Sequence, residues 1–247
     1  MKPRTHKQGS TVIVYDADRI QHPGPELFDP DHWRALGAVT GEAPGRGSAL
    51  FLETPYGAAV LRRYLRGGVP AKISRDRYFF NGWERSRPLG EFHMLADLAT
   101  HGLPVPLPLA AMCQRSGPFY TGWLMTRLLP GALTFADLIG RRADDSETWV
   151  RAGACIRRFH DFGVIHADLN ARNILVNEEK QVFLIDFDRA RVRRGDARAQ
   201  QSNLDRLRRS LLKFWPAQPE VPLAERWQGL LQGYEESAAS RSKGTDT

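Results

Sequence analysis

The stretch Ile165-His166-Ala167-Asp168-Leu169-Asn170-Ala171-Arg172-Asn173-Ile174-Leu175-Val176, followed by Val182-Phe183-Leu184-Ile185-Asp186-Phe187-Asp188, decides the fold. It contains His-x-Asp-x-x-x-x-Asn and then, thirteen residues on, an Asp-Phe pair closing an apolar run. Asn173–Val176 and Val182–Asp186 read as a hairpin-like pair of short strands. Asp168 therefore falls on a loop, Asn173 at a strand start and Asp186 at a strand end. Just upstream, Ser146–Phe162 carries Trp149, Ala152, Ile156 and Phe159 at helical spacing, which predicts a long amphipathic helix. Thr134–Arg142 reads as a shorter helix, and two more are expected at roughly 200–214 and 223–238.

Working back toward the N-terminus, Pro130-Gly131 breaks the pattern and marks the expected lobe boundary. Before it the chain reads mainly as β. Strands are expected at Ala49–Glu53 and Ala58–Tyr64, joined by Thr54-Pro55-Tyr56-Gly57, and again at Leu109–Gln114 and Tyr120–Leu129. One helix, 89–101, stands among them, with Phe92, Leu95 and Ala99 on one face and Gly102 and Pro104 after it. The expected organisation is a polar, loosely ordered lead-in over 1–35 with one short strand at Thr11–Tyr15. A β-rich lobe over 36–130, a helical lobe over 131–239 and a frayed tail over 240–247 follow. This is an α+β, two-lobed design.

Aspartate and asparagine in loops usually serve turns and caps. Their joint spacing between two apolar strands, behind a long helix, is what kinase-type phosphoryl transfer requires. Asp168 would accept the proton of a substrate hydroxyl. Asn173 would supply a neutral oxygen to magnesium, and Asp186 a charged one bridging metal and phosphates. In the β-rich lobe, Gly45-x-Gly47-Ser48 could form a glycine-rich loop over ATP phosphates. Glu91 is the candidate carboxylate for pairing with a phosphate-binding cation, and both Arg62 and Lys72 are candidates for that cation. His160 and His166 read as packing and bracing residues, and Trp215 and Trp227 as packing aromatics.

Length and composition set the outer bounds. The chain has 247 residues, enough for a buried core, and 35 basic against 28 acidic residues, a net charge of +7. Such an excess points to nucleic acid, an anionic membrane surface or a phosphorylated ligand. It is concentrated: nine basic residues stand against two acidic ones over 189–213, and eight against two over 62–87, where Phe79, Phe80 and Trp83 are interleaved. Cys113 and Cys155 form no CxxC, which excludes a disulfide framework and a cysteine-only zinc site and fits a reducing compartment. The N-terminus leads into no apolar signal region, and no apolar run reaches membrane-spanning length, so membrane contact is expected to be peripheral.

With these residues in view, the chain resembles the protein-kinase-like superfamily and, within it, the lipopolysaccharide core kinases that act on 3-deoxy-D-manno-octulosonic acid (Kdo). The resemblance rests on Val60-Leu-Arg-Arg-Tyr-Leu-Arg-Gly-Gly68, Glu91-Phe-His-Met-Leu95, Gly102-Leu-Pro-Val-Pro106, His166 through Leu175, and Leu184-Ile-Asp-Phe-Asp-Arg-Ala-Arg191. It spans roughly residues 40–215. It implies a two-lobed protein-kinase-like fold, use of ATP and Mg2+, and phosphorylation of the Kdo 4-hydroxyl on Kdo-lipid IVA. The reaction would run at the cytoplasmic face of a Gram-negative inner membrane, with the basic segments against the anionic surface and no nucleic acid expected. Unlike protein kinases, the chain has no Ala-Pro-Glu segment and no long activation loop after Asp186, which argues against a peptide substrate. Asp188 replaces the usual glycine and is expected to stiffen the segment. The nearest rival is an aminoglycoside-type phosphotransferase, whose cationic substrates the basic clusters disfavour. A basic nucleic-acid-binding module and a pseudokinase are more distant alternatives.

Overall fold

A computed structural model describes residues 1–43, 49–65 and 76–242. Gly45, Gly47 and Lys72, three of the candidate nucleotide-binding residues, lie outside the described residues. The chain divides into two compact units, Met1–His101 with Pro106–Leu128, and Gly102–Val105 with Leu129–Thr247.

The first unit is built on an antiparallel sheet. Its strands are β1 (Pro3–Gln8), β2 (Thr11–Asp16), β3 (Val39–Ala43), β4 (Ala49–Thr54), β5 (Gly57–Arg63), β6 (Tyr78–Phe79), β7 (Pro108–Ser116) and β8 (Phe119–Arg127). They are ordered β1-β2-β7-β8-β5-β4-β3, with β6 added on β8. The β4–β5 hairpin turns where the Thr-Pro-Tyr-Gly cue stands. Gly57 takes φ 99°, a conformation other residues resist, and the Thr54 hydroxyl donates to its carbonyl at 2.7 Å. Helix α2 (Arg87–Thr100) begins with Pro88 in its first turn and buries Leu89, Glu91, Phe92, Leu95, Ala96 and Leu98. Its first turn lies so close to β8 that a Cβ on Gly122 would stand 2.5 Å from the Pro88 ring.

The lead-in is not loosely ordered. Residues 3–16 form a hairpin, and β2 is inserted between β1 and β7 with Thr11 opposite Gln114. The segment also carries the short helix α1 (Pro30–Ala35), capped by Asp29, whose side chain accepts from the Asp31 amide at 3.0 Å. Ile13, Ile20, Leu27, Phe28 and Trp33 join Leu50, Leu52, Leu61, Leu109 and Met125 in one core cluster. Each such side chain removed from water contributes about 1.5–3 kcal/mol, enough to order a segment whose average composition is polar. Asp16 anchors the hairpin end. It is buried and accepts from the Lys2 amide at 2.8 Å, the Asp18 amide at 3.2 Å and the Arg19 guanidinium. Burial alone would raise its carboxyl; the donors outweigh this and hold it below the usual range.

The second unit is mainly helical. It contains β9 (Leu133–Thr134), α3 (Phe135–Gly140), α4 (Ser146–Phe162), β10 (Val164–Ile165), β11 (Ile174–Val176), β12 (Val182–Leu184), β13 (Arg191–Val192), α5 (Ala197–Leu212) and α6 (Leu223–Ser242). Helix α4 has the bounds the periodicity predicts, because both ends are locally encoded. The Asp145 side chain accepts from the Thr148 amide at 2.8 Å, and Gly163 ends the helix at φ 95°. Helices α4 and α6 approach each other through glycines: a Cβ on Gly153 would meet the Leu230 carbonyl oxygen at 1.8 Å, and one on Gly233 the Val150 oxygen at 1.9 Å. Helix α5 starts at Ala197, earlier than its apolar spacing suggests, because Asp196 caps it and accepts from the Ala199 amide at 2.9 Å. Gly102–Val105 belongs with this unit and not with the β-rich one. Leu184 donates to the Pro104 carbonyl at 3.1 Å and the Arg158 guanidinium to that of Gly102 at 2.6 Å.

Candidate active site

In the first unit, β5 and α2 bring Arg62 and Glu91 together. One guanidinium nitrogen of Arg62 lies 2.6 Å from Glu91 Oε2. Glu91 is 2% exposed at its side chain and Arg62 30%, so the carboxylate is locked while the cation keeps a face to solvent. The Tyr64 hydroxyl donates to the same Glu91 oxygen, and the Arg62 guanidinium stacks over the Tyr64 ring at 4.8 Å. Arg87 covers that ring's surroundings, 5.9 Å from Tyr64 and 4.8 Å from Tyr78. Arg62, the candidate cation that lies among the described residues, thus meets Glu91. A planar guanidinium can pair with a carboxylate and still present N–H groups to a phosphate.

In the second unit, residues 166–173 form a loop whose shape is set by hydrogen bonds at nearly every step. His166 is buried. Its Nδ1 accepts from the Asp168 amide at 3.1 Å, so the ring proton resides on Nε2 and is donated to the Ile185 carbonyl at 2.9 Å. Burial lowers its pKa; the Ile185 carbonyl and the nearby carboxylates of Asp186 and Asp168 act the other way and are outweighed. It is a neutral brace between the loop and the segment leading to Asp186. Asn173 donates from its carboxamide nitrogen to the Asp168 carbonyl at 2.9 Å, and its own carbonyl accepts from the Ile185 amide at 3.0 Å. Ile185, immediately before Asp186, is therefore tied to both ends of the loop.

Asp168 itself points outward, 64% exposed. Asn170 supports it from below, donating to its carbonyl at 3.0 Å and to Oδ2 at 3.2 Å. The Arg206 guanidinium from α5 lies 3.5 Å from Oδ1. Asp186 stands beyond the end of β12, half-buried, in the left-handed region at φ 64°, which aspartate tolerates better than most residues. Phe187 turns inward, buried against His166 at 5.0 Å and Phe159 at 5.5 Å. The left-handed positions fall at Asp186 and Arg189, not at 188. A glycine is therefore not required where Asp188 stands.

Beneath the loop lies a buried polar network that the spacing of the motif does not reveal. Asn203 of α5 accepts from the His166 amide at 3.0 Å and donates to the His166 carbonyl at 2.9 Å, pinning both backbone groups of one residue. His160 Nε2 reaches the Asn203 oxygen at 3.4 Å, and its Nδ1 lies 2.8 Å from the Tyr234 hydroxyl on α6. Burial pushes His160 down to about 4, so it stays neutral. Ser210 accepts from the Ala171 amide at 3.1 Å. The one cue in the sequence was a lone asparagine on the face of α5 that also carries Leu204, Leu207 and Leu211.

A metal fit can be judged from the donors. The Asn173 nitrogen is spent on the loop's own carbonyl, which turns its carboxamide oxygen to the other side, and Asp186 adds a carboxylate. Two hard oxygens suit magnesium that arrives with phosphate and water ligands. Among the described residues no group of three or more His, Cys, Asp or Glu side chains could hold a metal by themselves.

An Arg–Glu pair across strand and helix, in a β-sheet unit, and a pinned His-x-Asp-x-x-x-x-Asn loop, in a helical one, define the class: a kinase-like phosphotransferase. The chain belongs to the lipopolysaccharide kinase (Kdo/WaaP) family, whose model matches residues 30–234. Relatives named 3-deoxy-D-manno-octulosonic acid kinase include one from Vibrio vulnificus (strain YJ016), 37% identical over 232 residues, covering 92% of this chain and 96% of the relative. Another, from Stenotrophomonas maltophilia (strain R551-3), is 41% identical over 87% of this chain and 85% of its own length. A third, from Xylella fastidiosa (strain 9a5c), is 43% identical over 85% and 82%.

Proposed function

We propose that the protein transfers the γ-phosphoryl group of ATP to the 4-hydroxyl of Kdo on Kdo-lipid IVA during assembly of the lipopolysaccharide core. The observation that carries this reading is the loop at 166–173: a carboxylate held out to solvent on a backbone fixed at both ends. The acceptor oxygen forms a bond to the γ-phosphorus, the bond to the β-phosphate oxygen breaks, ADP departs, and the hydroxyl proton passes to Asp168. Asp168 needs no mobile brace for this role, since His166, Asn170 and Asn173 fix its main chain. Arg62, oriented by Glu91, binds ATP phosphate. Asn173 and Asp186 hold Mg2+, which supplies positive charge to the phosphates when bound. Gly45 and Gly47 are proposed to cover those phosphates, with Lys72 a second cation.

The acceptor is part of a lipid, and the protein is proposed to work peripherally at the cytoplasmic face of the inner membrane. No helix among the described residues is long and apolar enough to cross a membrane. Support comes from the exposed Arg191, Arg193, Arg194 and Arg198, with Val192 51% exposed among them, and from Phe79, 65% exposed and packed on Phe119.

Incubation with labelled ATP, Mg2+ and Kdo-lipid IVA, beside kanamycin and duplex DNA, tests the reading. Label is expected on the glycolipid alone, and label on kanamycin alone would overturn the choice of acceptor. Asp168→Ala is expected to lose transfer by about 10²- to 10⁴-fold while still binding ATP.

A further inference from the structure

Helix α5 faces the catalytic loop through one stripe. Asn203, Arg206 and Ser210 stand at i, i+3 and i+7 and meet His166, Asp168 and Ala171 respectively. The outer two are structural: they satisfy buried or half-buried backbone groups and fix the helix against both ends of the loop. Arg206 is different. Its contact with Asp168 Oδ1 is 3.5 Å, and the two side chains are 48% and 64% exposed. An ion pair this open is weak and exchanges partners readily. The loop's shape does not depend on it, because Asn170, Asn173, His166 and Asn203 already hold the backbone around Asp168. What remains is a guanidinium whose backbone position is set beside the candidate base and whose fork is open to solvent.

We infer that Arg206 recognises the carboxylate of the acceptor sugar and thereby selects the hydroxyl presented to Asp168. The inference rests on the proposed function, in which the acceptor residue is a sugar acid. A guanidinium fork matches a carboxylate with two parallel hydrogen bonds, which fixes orientation as well as position. As the acceptor enters, Arg206 exchanges Asp168 Oδ1 for the sugar carboxylate, and Oδ1 becomes available to the hydroxyl. Arg209 and Lys213, exposed on the same side of α5, add positive charge that draws an anionic acceptor in.

The test compares Kdo-lipid IVA with its Kdo carboxyl methyl ester, using wild type, Arg206→Gln and Arg206→Lys. Wild type is expected to prefer the acid by about 10- to 100-fold in kcat/KM, the loss expected for one charge-assisted hydrogen bond. Arg206→Gln is expected to lose that preference, dropping on the acid and not on the ester, with KM for ATP unchanged; Arg206→Lys is expected to restore part of it. Equal use of acid and ester by wild type, an equal drop on both in Arg206→Gln, or a rise in KM for ATP would overturn the inference and leave the proposed acceptor standing. Absence of transfer to either glycolipid by wild type would overturn the proposed function, and the inference with it.

Discussion

Replacing Asn203 with alanine strips both backbone groups of His166 of their partners at a point with little access to water. Asn203 is 5% exposed and His166 2%. Its two bonds to that residue, at 3.0 and 2.9 Å, are of ordinary length and full value. A buried backbone group left unpaired costs about 1–3 kcal/mol, so two of them cost about 4 kcal/mol, with a further small loss for the void. That is a large part of the roughly 5–15 kcal/mol by which a domain is stable. The outer link of the same network should matter less: Tyr234→Phe removes one hydroxyl facing His160 Nδ1 and is expected to cost about 1 kcal/mol. Urea unfolding curves of the three proteins give the stabilities, and kcat with saturating ATP reports on the loop. The expectation is a lowered midpoint and lowered kcat for Asn203→Ala, and a nearly intact kcat for Tyr234→Phe. An Asn203→Ala protein within about 1 kcal/mol of wild type and with full kcat would refute the idea that this network holds the 166–173 loop proposed to carry the base.

Three further outcomes follow from other parts of the molecule. Arg62→Met removes an ion-pair partner of the buried Glu91 carboxylate and is expected to destabilise by about 3 kcal/mol, whereas Glu91→Gln keeps an acceptor for Tyr64 and costs less; thermal unfolding yielding the reverse order would contradict the pairing. Gly153→Ala places a methyl group 1.8 Å from the Leu230 oxygen, forcing α4 and α6 apart, and is expected to lower stability by about 1–3 kcal/mol in urea unfolding; an unchanged midpoint would show that the helices can separate freely. His160 is held at about 4 by burial, below an unfolded value near 6.5, so the unfolded chain takes up the proton first. Its contribution is constant above pH 6.5 and lost as pH falls from 6.5 to 4, by about 3 kcal/mol at most. His166 shifts in the same direction, while Asp145, held at about 2 against burial by Lys180 and Thr148, acts only below about pH 4. Urea midpoints measured from pH 7 to 4.5 should therefore fall, and a flat profile would count against a buried neutral His160.

Much of the second unit was legible because its information is local. The bounds of α4 follow from Asp145, the apolar spacing and Gly163, all within one continuous segment. The hairpin at 174–184 and the positions of Asp168, Asn173 and Asp186 around it likewise follow from a run of about twenty residues. Strand Val182–Asp186 ends two residues early because Asp186 leaves extended geometry for the left-handed region. Composition misjudged the lead-in. Val12, Ile13 and Val14 alternate with nothing polar, yet the surrounding residues are polar enough to mask them.

The sequence by itself determined the class of chemistry. An aspartate, an asparagine and a second aspartate at set separations between apolar strands form the pattern expected of kinase-type phosphoryl transfer, and that pattern is complete within one short run of sequence. Tertiary structure alone decided which groups support them. Thr11 meets Gln114 across a sheet, Arg62 meets Glu91 across 29 residues, and Tyr234 reaches His160 across 74. Such partners leave no periodicity, because the free energy that selects them is the cost of a buried polar group left unsatisfied, and that cost exists only once the chain has closed around it.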